Sequence, residues 1–152
     1  MGRKRKVHCK HPKTSLCSYC LASQGEREIA LFLEENCIHF EIQKAFPETG
    51  RCHFDFYLPD LHLLIEMDGR QHFAPFRQNK RAIKNFLKRK EYDQRKDRFC
   101  LEQKIPLIRI AYTCQKRIPE ILADILSHNL DGIYHSNPGL YKNLRMGIHD
   151  GV

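Results

Sequence analysis

Apolar residues recur along this chain with two different periods, and the period changes from segment to segment. Ile29, Phe32 and Leu33 fall at i, i+3 and i+4, which is one face of a helix. Ser23 stands ahead of them with Glu26 three residues on, the spacing of a capping box, and the helix is expected to end near Asn36. Ile38, Phe40 and Ile42 then alternate with His39, Glu41 and Gln43, so residues 38–46 read as a half-buried strand. Pro47 to Gly50 is a turn. Phe54-Asp55-Phe56-Tyr57-Leu58 is short, aromatic and closed by Pro59-Asp60, a second strand. Leu63 to Met67 is a third, stopped by Gly69. Arg81 to about Lys104 reads as one long helix with Ile83, Leu87, Phe99 and Leu101 toward a buried face. Pro106 to Tyr112 is a last, mostly apolar strand. Ile118 to Leu126 is a short helix that turns Ile121, Leu122, Ile125 and Leu126 inward. The order helix, three strands, long helix, strand, helix predicts an α/β fold: one mixed sheet flanked by helices. Residues 23–128 form this core, residues 1–22 an N-terminal arm, and residues 129–152 an extension with no regular pattern.

Three carboxylates interrupt the apolar strands. Asp55 sits in the second strand, Glu66 in the third, and Asp68 two residues beyond it. Apolar strands rarely carry acids unless these are paired or bind metal. An antiparallel hairpin places Asp55 near Glu66, and Asp68 shares the face of Glu66. Carboxylates gathered there repel one another unless a divalent cation lies between them, and oxygen donors suit magnesium or manganese. The plainer alternative is three separate strand-end residues held by hydrogen bonds. His72 follows the glycine turn, where a histidine is as often structural as chemical. Glu26 is a capping residue or an acid reaching the same centre from the first helical turn. Asp93 and Lys96 lie at i, i+3 on the long helix, by default a surface ion pair.

Charge adds a partner. The 152 residues hold 26 Lys and Arg against 18 Asp and Glu, a formal charge of +8. A basic chain suits a polyanion, most simply nucleic acid. Arg77, Lys80, Arg81, Lys84 and Lys88 crowd the start of the long helix, either along a phosphate backbone or as a solvated face. No apolar run reaches the ~18 residues of a membrane span, and the charged N-terminus lacks a signal core, so an intracellular protein is expected. Seven cysteines in such a chain favour thiols or metal ligands over disulfides. Cys17 and Cys20 form a C-x-x-C pair, and Cys9 with His11 would complete a tetrahedral zinc set. A cluster of reduced cysteines in the arm is the alternative. The basic run Met1 to Val7 suits phosphates, a nuclear address or a solvated end.

The motifs taken together resemble the PD-(D/E)XK nuclease superfamily, with its restriction-endonuclease-like fold. The nearer resemblance is to the branch of very-short-patch repair endonucleases and related homing endonucleases of phages and large DNA viruses. The matching stretches are S-x-G-E at Ser23 to Glu26, F-D-F-Y-L-P at Phe54 to Pro59, and I-E-x-D-G-x-Q-H at Ile65 to His72. D-x-x-K at Asp93 to Lys96 and L-I-R-I-x-Y at Leu107 to Tyr112 follow. The resemblance spans roughly residues 23–112, and the cysteine segment ahead of it resembles the zinc segment of some relatives. It implies a metal-dependent DNA endonuclease. Asp55, Glu66 and Asp68 would bind the catalytic Mg²⁺ or Mn²⁺. Glu26 would be a further acid, and His72 a general base or a contact to the scissile phosphate. Asp93 and Lys96 would approach from the following helix, and Gln71 would orient a ligand or water. Where the superfamily name expects lysine, two residues after the strand glutamate, this chain has Asp68, so Lys96 or His72 is left to fill that role. A monomer would nick and a homodimer would cut both strands; a nuclear or viral setting fits the resemblance.

Overall fold

A computed structural model describes residues 23–146 of the chain. The basic N-terminal run and the candidate zinc ligands Cys9, His11, Cys17 and Cys20 lie outside the described residues.

Helix α1 (Gln24–Glu35) opens with a complete capping box. The Ser23 hydroxyl accepts from the Glu26 amide at 3.3 Å, and the Ser23 amide donates to Glu26 Oε2 at 2.7 Å. Three antiparallel strands follow: β1 (Glu41–Ala45), β2 (His53–Leu58) and β3 (Leu63–Asp68). Helix α2 (Lys80–Gln103) crosses over to β4 (Leu107–Ala111), which runs parallel to β3. Helix α3 (Ile118–Leu126) crosses to β5 (Ile133–His135), parallel to β4, and α4 (Pro138–Met146) closes the described chain. The sheet is mixed, in the order β1-β2-β3-β4-β5.

Side-chain alternation sorts the two faces. Ile65, Ile108 and Ile110 join Ile29 and Leu33 of α1 and Ile118, Leu122 and Ile125 of α3 in one cluster. Leu64 and Leu107 point the other way and pack with Phe99 and Cys100 of α2. Toward the C-terminal ends of the parallel pair, this second face turns from apolar to charged, through Glu66, Asp68 and Arg109. Crevices at the carboxyl ends of parallel strands are the usual place for ligands in open α/β sheets. Among the described residues no helix is long and apolar enough to cross a membrane.

Two sequence expectations are corrected. Residues 129–152 are not irregular throughout, because β5 and α4 belong to the core fold. A three-residue strand is too short to show a period. Asn137-Pro138-Gly139, which reads as a break, is a helix start: Asn137 Oδ1 accepts from the Leu140 amide at 3.3 Å and Pro138 takes the first helical position. Second, Ile83, Leu87 and Leu101 are not buried. They are 40%, 57% and 58% exposed, and α2 buries only Phe99 and Cys100. For Ile83 and Leu87 the reason is length, whereas Leu101 follows the buried Phe99 and Cys100 on the side of the helix turned away from the sheet. The 24 residues of α2 span about 36 Å, whereas a six-residue strand spans about 20 Å, so the sheet covers only part of the helix.

A candidate active site in two halves

The pairing of β2 with β3 ends at Phe56↔Ile65, one residue short of Asp55. Beyond that point the Asp55 side chain takes over from the backbone, with Oδ2 accepting from the Met67 amide at 2.8 Å. Across the sheet from this break, Gln43 of β1 holds the left-handed conformation at φ 51°. The disturbance coincides with a change of facing: Phe54 packs with Phe99 of α2, while Phe56 packs under α1. Backbone irregularities of this kind re-aim side chains next to functional sites. Here the side chain re-aimed is Asp55.

Glu66 is 2% exposed, and its Oε1 accepts from Lys96 Nζ at 2.8 Å. Lys96 comes from α2, thirty residues later, and its ammonium also stands 5.4 Å from the Phe54 ring centre. The start of α1 closes the remaining side. Gly25 is buried, and a Cβ there would meet Met67 of β3 at 2.5–2.9 Å, so glycine lets the helix start approach the strand and brings Glu26 in with it. Glu26, Asp55, Glu66, Gln71, His72 and Lys96 thus line one cleft of about 330 Å³. Glu26 both caps α1 and lines this cleft.

Burial dominates the electrostatics of the cleft. Burial and the Glu66 charge raise Asp55 well above the usual carboxylate range, against the opposing Met67 amide and Lys96. Burial likewise raises Glu66, which Lys96 and Arg109 only partly offset. Burial pushes Lys96 down, but Glu66 and Asp55 outweigh it, so Lys96 is raised and stays cationic at neutral pH.

Asp68 and Asp93 do not line this cleft; they stand behind His72. Asp68 is 1% exposed, and both its oxygens take Arg109 Nη1, at 3.0 and 2.9 Å. The Tyr141 hydroxyl of α4 donates to Asp68 Oδ2 at 2.8 Å. Arg109 Nε donates to Asp97 at 2.7 Å, and Nη2 to the Asp93 carbonyl at 3.3 Å. Burial pushes Asp68 up, but Arg109, His72 and Tyr141 together hold it below its ordinary value. His72 joins the halves. Its Nδ1 is 2.8 Å from Asp93 Oδ2 and 3.6 Å from Asp68 Oδ1. A carboxylate only accepts, so Nδ1 carries a proton, and in the neutral ring Nε2 is the acceptor.

Two groupings therefore offer metal donors. Ligand atoms of Asp68, His72 and Asp93 lie within 4.8 Å of one another. That grouping already holds a cation, the Arg109 guanidinium, which fills both Asp68 oxygens. Asp55 and Glu66 have hard oxygen donors; Lys96 pairs with Glu66, Arg109 acts on it as well, and burial still holds both carboxyls above their ordinary range.

Asp93 and Lys96 are thus not an isolated surface pair; each reaches a different partner in the interior. Sequence reasoning misses Arg109, Asp97 and Tyr141. Arg109 did leave a signal, as the one charge in the apolar run Leu107 to Ala111. Tyr141 left none. The candidate DNA contacts Arg77, Lys80, Arg81, Lys84 and Lys88 are all exposed, along the part of α2 that outruns the sheet and the turn before it. No protein-family model matches the chain, and no curated protein matches it.

Proposed function

We propose that this protein is a divalent-metal-dependent endonuclease that hydrolyses DNA phosphodiester bonds on a PD-(D/E)XK-like core. The observation that carries the reading is the meeting of Asp55, Glu66 and Lys96, from β2, β3 and α2, in one cleft beside His72. Asp55 and Glu66 are the residues that would hold Mg²⁺ or Mn²⁺, with Glu26 as a third acid on the cleft wall. When bound, the cation would polarise the phosphate and lower the pKa of an attacking water. The chain's own groups supply the rest. Lys96, arriving from the helix, fills the cationic role that the strand leaves vacant at Asp68, and it stabilises the negative charge that grows on the phosphate. His72 accepts the water's proton at Nε2 while Asp93 steadies the imidazolium through Nδ1. The exposed lysines and arginines around the start of α2 hold the DNA backbone.

The test is supercoiled plasmid incubated with purified protein in magnesium, manganese or EDTA, beside Asp55→Ala. Metal-dependent nicking or linearisation, abolished in the variant, supports the nuclease. No cleavage in either metal, with salt-sensitive DNA binding intact in both proteins, leaves a DNA-binding module of the same fold.

A further inference from the structure

A second cavity, of about 370 Å³, opens at the elbow where the segment after β3 turns into α2. Its size lies within the range of small-molecule sites, about 300–1,000 Å³. Gln71 belongs to its wall and to the wall of the catalytic cleft, so the two open side by side.

Besides the small apolar Ala74, Pro75 and Ala82, the lining is of three chemical kinds. Phe76 and Phe86 supply aromatic rings, and Phe76 is 87% exposed, touched by the Arg77 guanidinium at 5.5 Å from its centre. Gln71, Asn79 and Asn85 supply side-chain amides. Asn79 spends its oxygen on the cap of α2, accepting from the Ala82 amide at 2.9 Å, which leaves its NH₂ as the outward donor. Arg81 and Arg89 supply charge, and no Asp or Glu is among the lining residues. Amides carry both donors and acceptors, which suits the edge of a base. An exposed ring suits its flat face, since every base offers a π-surface for stacking. Guanidinium groups suit the phosphates that come with it.

We infer that this cavity receives an unstacked nucleobase of the DNA strand, adjacent to the phosphate held in the cleft. The inference rests on the nuclease reading for its neighbour, but base binding is measurable without cleavage. Reaching the cavity requires a base to leave its stack, which is easiest in single strands and at mismatched or damaged pairs.

The test uses the full chain carrying Asp55→Asn, so that no strand is cut. Fluorescence anisotropy reads its affinity for a single-stranded DNA oligonucleotide and for the same backbone carrying abasic sites. The intact strand is expected to bind roughly 5- to 160-fold tighter, the range that stacking on one ring gives. Phe76→Ala or Asn85→Ala should remove most of that difference and leave the abasic complex unchanged. Both side chains are exposed, so folding is not at issue. Lys84→Gln, on α2 outside the cavity, should weaken both complexes alike. The inference is overturned if the cavity variants bind both strands as the parent does, if they weaken both alike, or if neither strand binds the parent. A base-dependent difference that persists in a protein unable to cut plasmid keeps the cavity and removes the nuclease. Cutting without that difference does the reverse.

Discussion

His72 has Nδ1 committed to Asp93 while its ring lines the cleft, an asymmetry that the proposed mechanism uses for proton transfer. Asp93→Asn keeps the shape but puts an amide where the carboxylate stood, so Nδ1–H loses its charged acceptor. Cleavage by Asp93→Asn should fall about 10- to 100-fold in kcat, with KM for DNA nearly unchanged. Equal rates would leave His72 a structural residue. The acids of the cleft make a separate statement about stability. Asp55 and Glu66 keep protons in the folded, metal-free protein at pH values where the unfolded chain has released them. The folded state then binds more protons, and stability falls as pH rises from the ordinary carboxylate range through the raised values. Asp68 runs the other way: its contribution is present above the ordinary carboxylate range and is lost as pH falls through its lowered value. In metal-free buffer Asp55→Asn should therefore melt higher than the parent at neutral pH, with the difference shrinking on acidification. Melting curves against pH would check both the direction and the window. Asp55 and Glu66 were legible in the sequence because an acid inside an apolar strand needs a reason. Asp68 was grouped with them because it shares their face. Its actual partners, Arg109 and Tyr141, lie 41 and 73 residues away, beyond the reach of any local pattern.

At the scale of elements, α2 serves two purposes along its length. Its later turns pack Phe99 and Cys100 onto the sheet and deliver Asp93, Lys96 and Asp97 to the site. Its earlier turns outrun the strands and carry Lys80, Lys84 and Lys88 at four-residue spacing, one stripe of a helix. Residues 77–90 contain seven Lys and Arg and no acid, so the stripe is not neutralised within its own segment. Changing all three lysines to glutamine should weaken DNA binding across sequences and reduce the slope of log K against log salt by about 0.9 for each phosphate that is no longer neutralised. The variant's stability should stay within about 0.5 kcal/mol of the parent's, read by thermal melting, because the three side chains are exposed. An unchanged salt slope would remove α2 from the DNA interface. The helix itself was legible from its period. Its exposed apolar positions were not, because periodicity reports a face without saying how far the neighbouring sheet extends.

Across the whole molecule, the site is closed from the C-terminal side. β5 extends the sheet beside β4, and α4 returns Tyr141 to Asp68, with its ring against Phe73 at 5.0 Å between centres. Tyr141→Phe removes one hydrogen bond to a buried charge and should cost about 1.5–3 kcal/mol, read by urea unfolding, while the ring packing survives. A loss below about 0.5 kcal/mol would mean that Arg109 alone satisfies Asp68. The layered α/β design, the mixed sheet and the helix order were all legible from alternating periods and turn residues. The last strand and helix were not, because a short strand at the sheet edge and a helix that starts on Asn-Pro-Gly look locally like a loop.

Everything proposed for catalysis requires the cation to belong to Asp55 and Glu66 and not to the grouping of Asp68, His72 and Asp93. Calorimetric titration of Mn²⁺ into the parent, Asp55→Asn and Asp93→Asn tests that division most directly. Binding that is lost in Asp55→Asn and kept in Asp93→Asn is the predicted result. Binding kept in Asp55→Asn and lost in Asp93→Asn would place the metal beside Arg109 and contradict the assignment of the cleft.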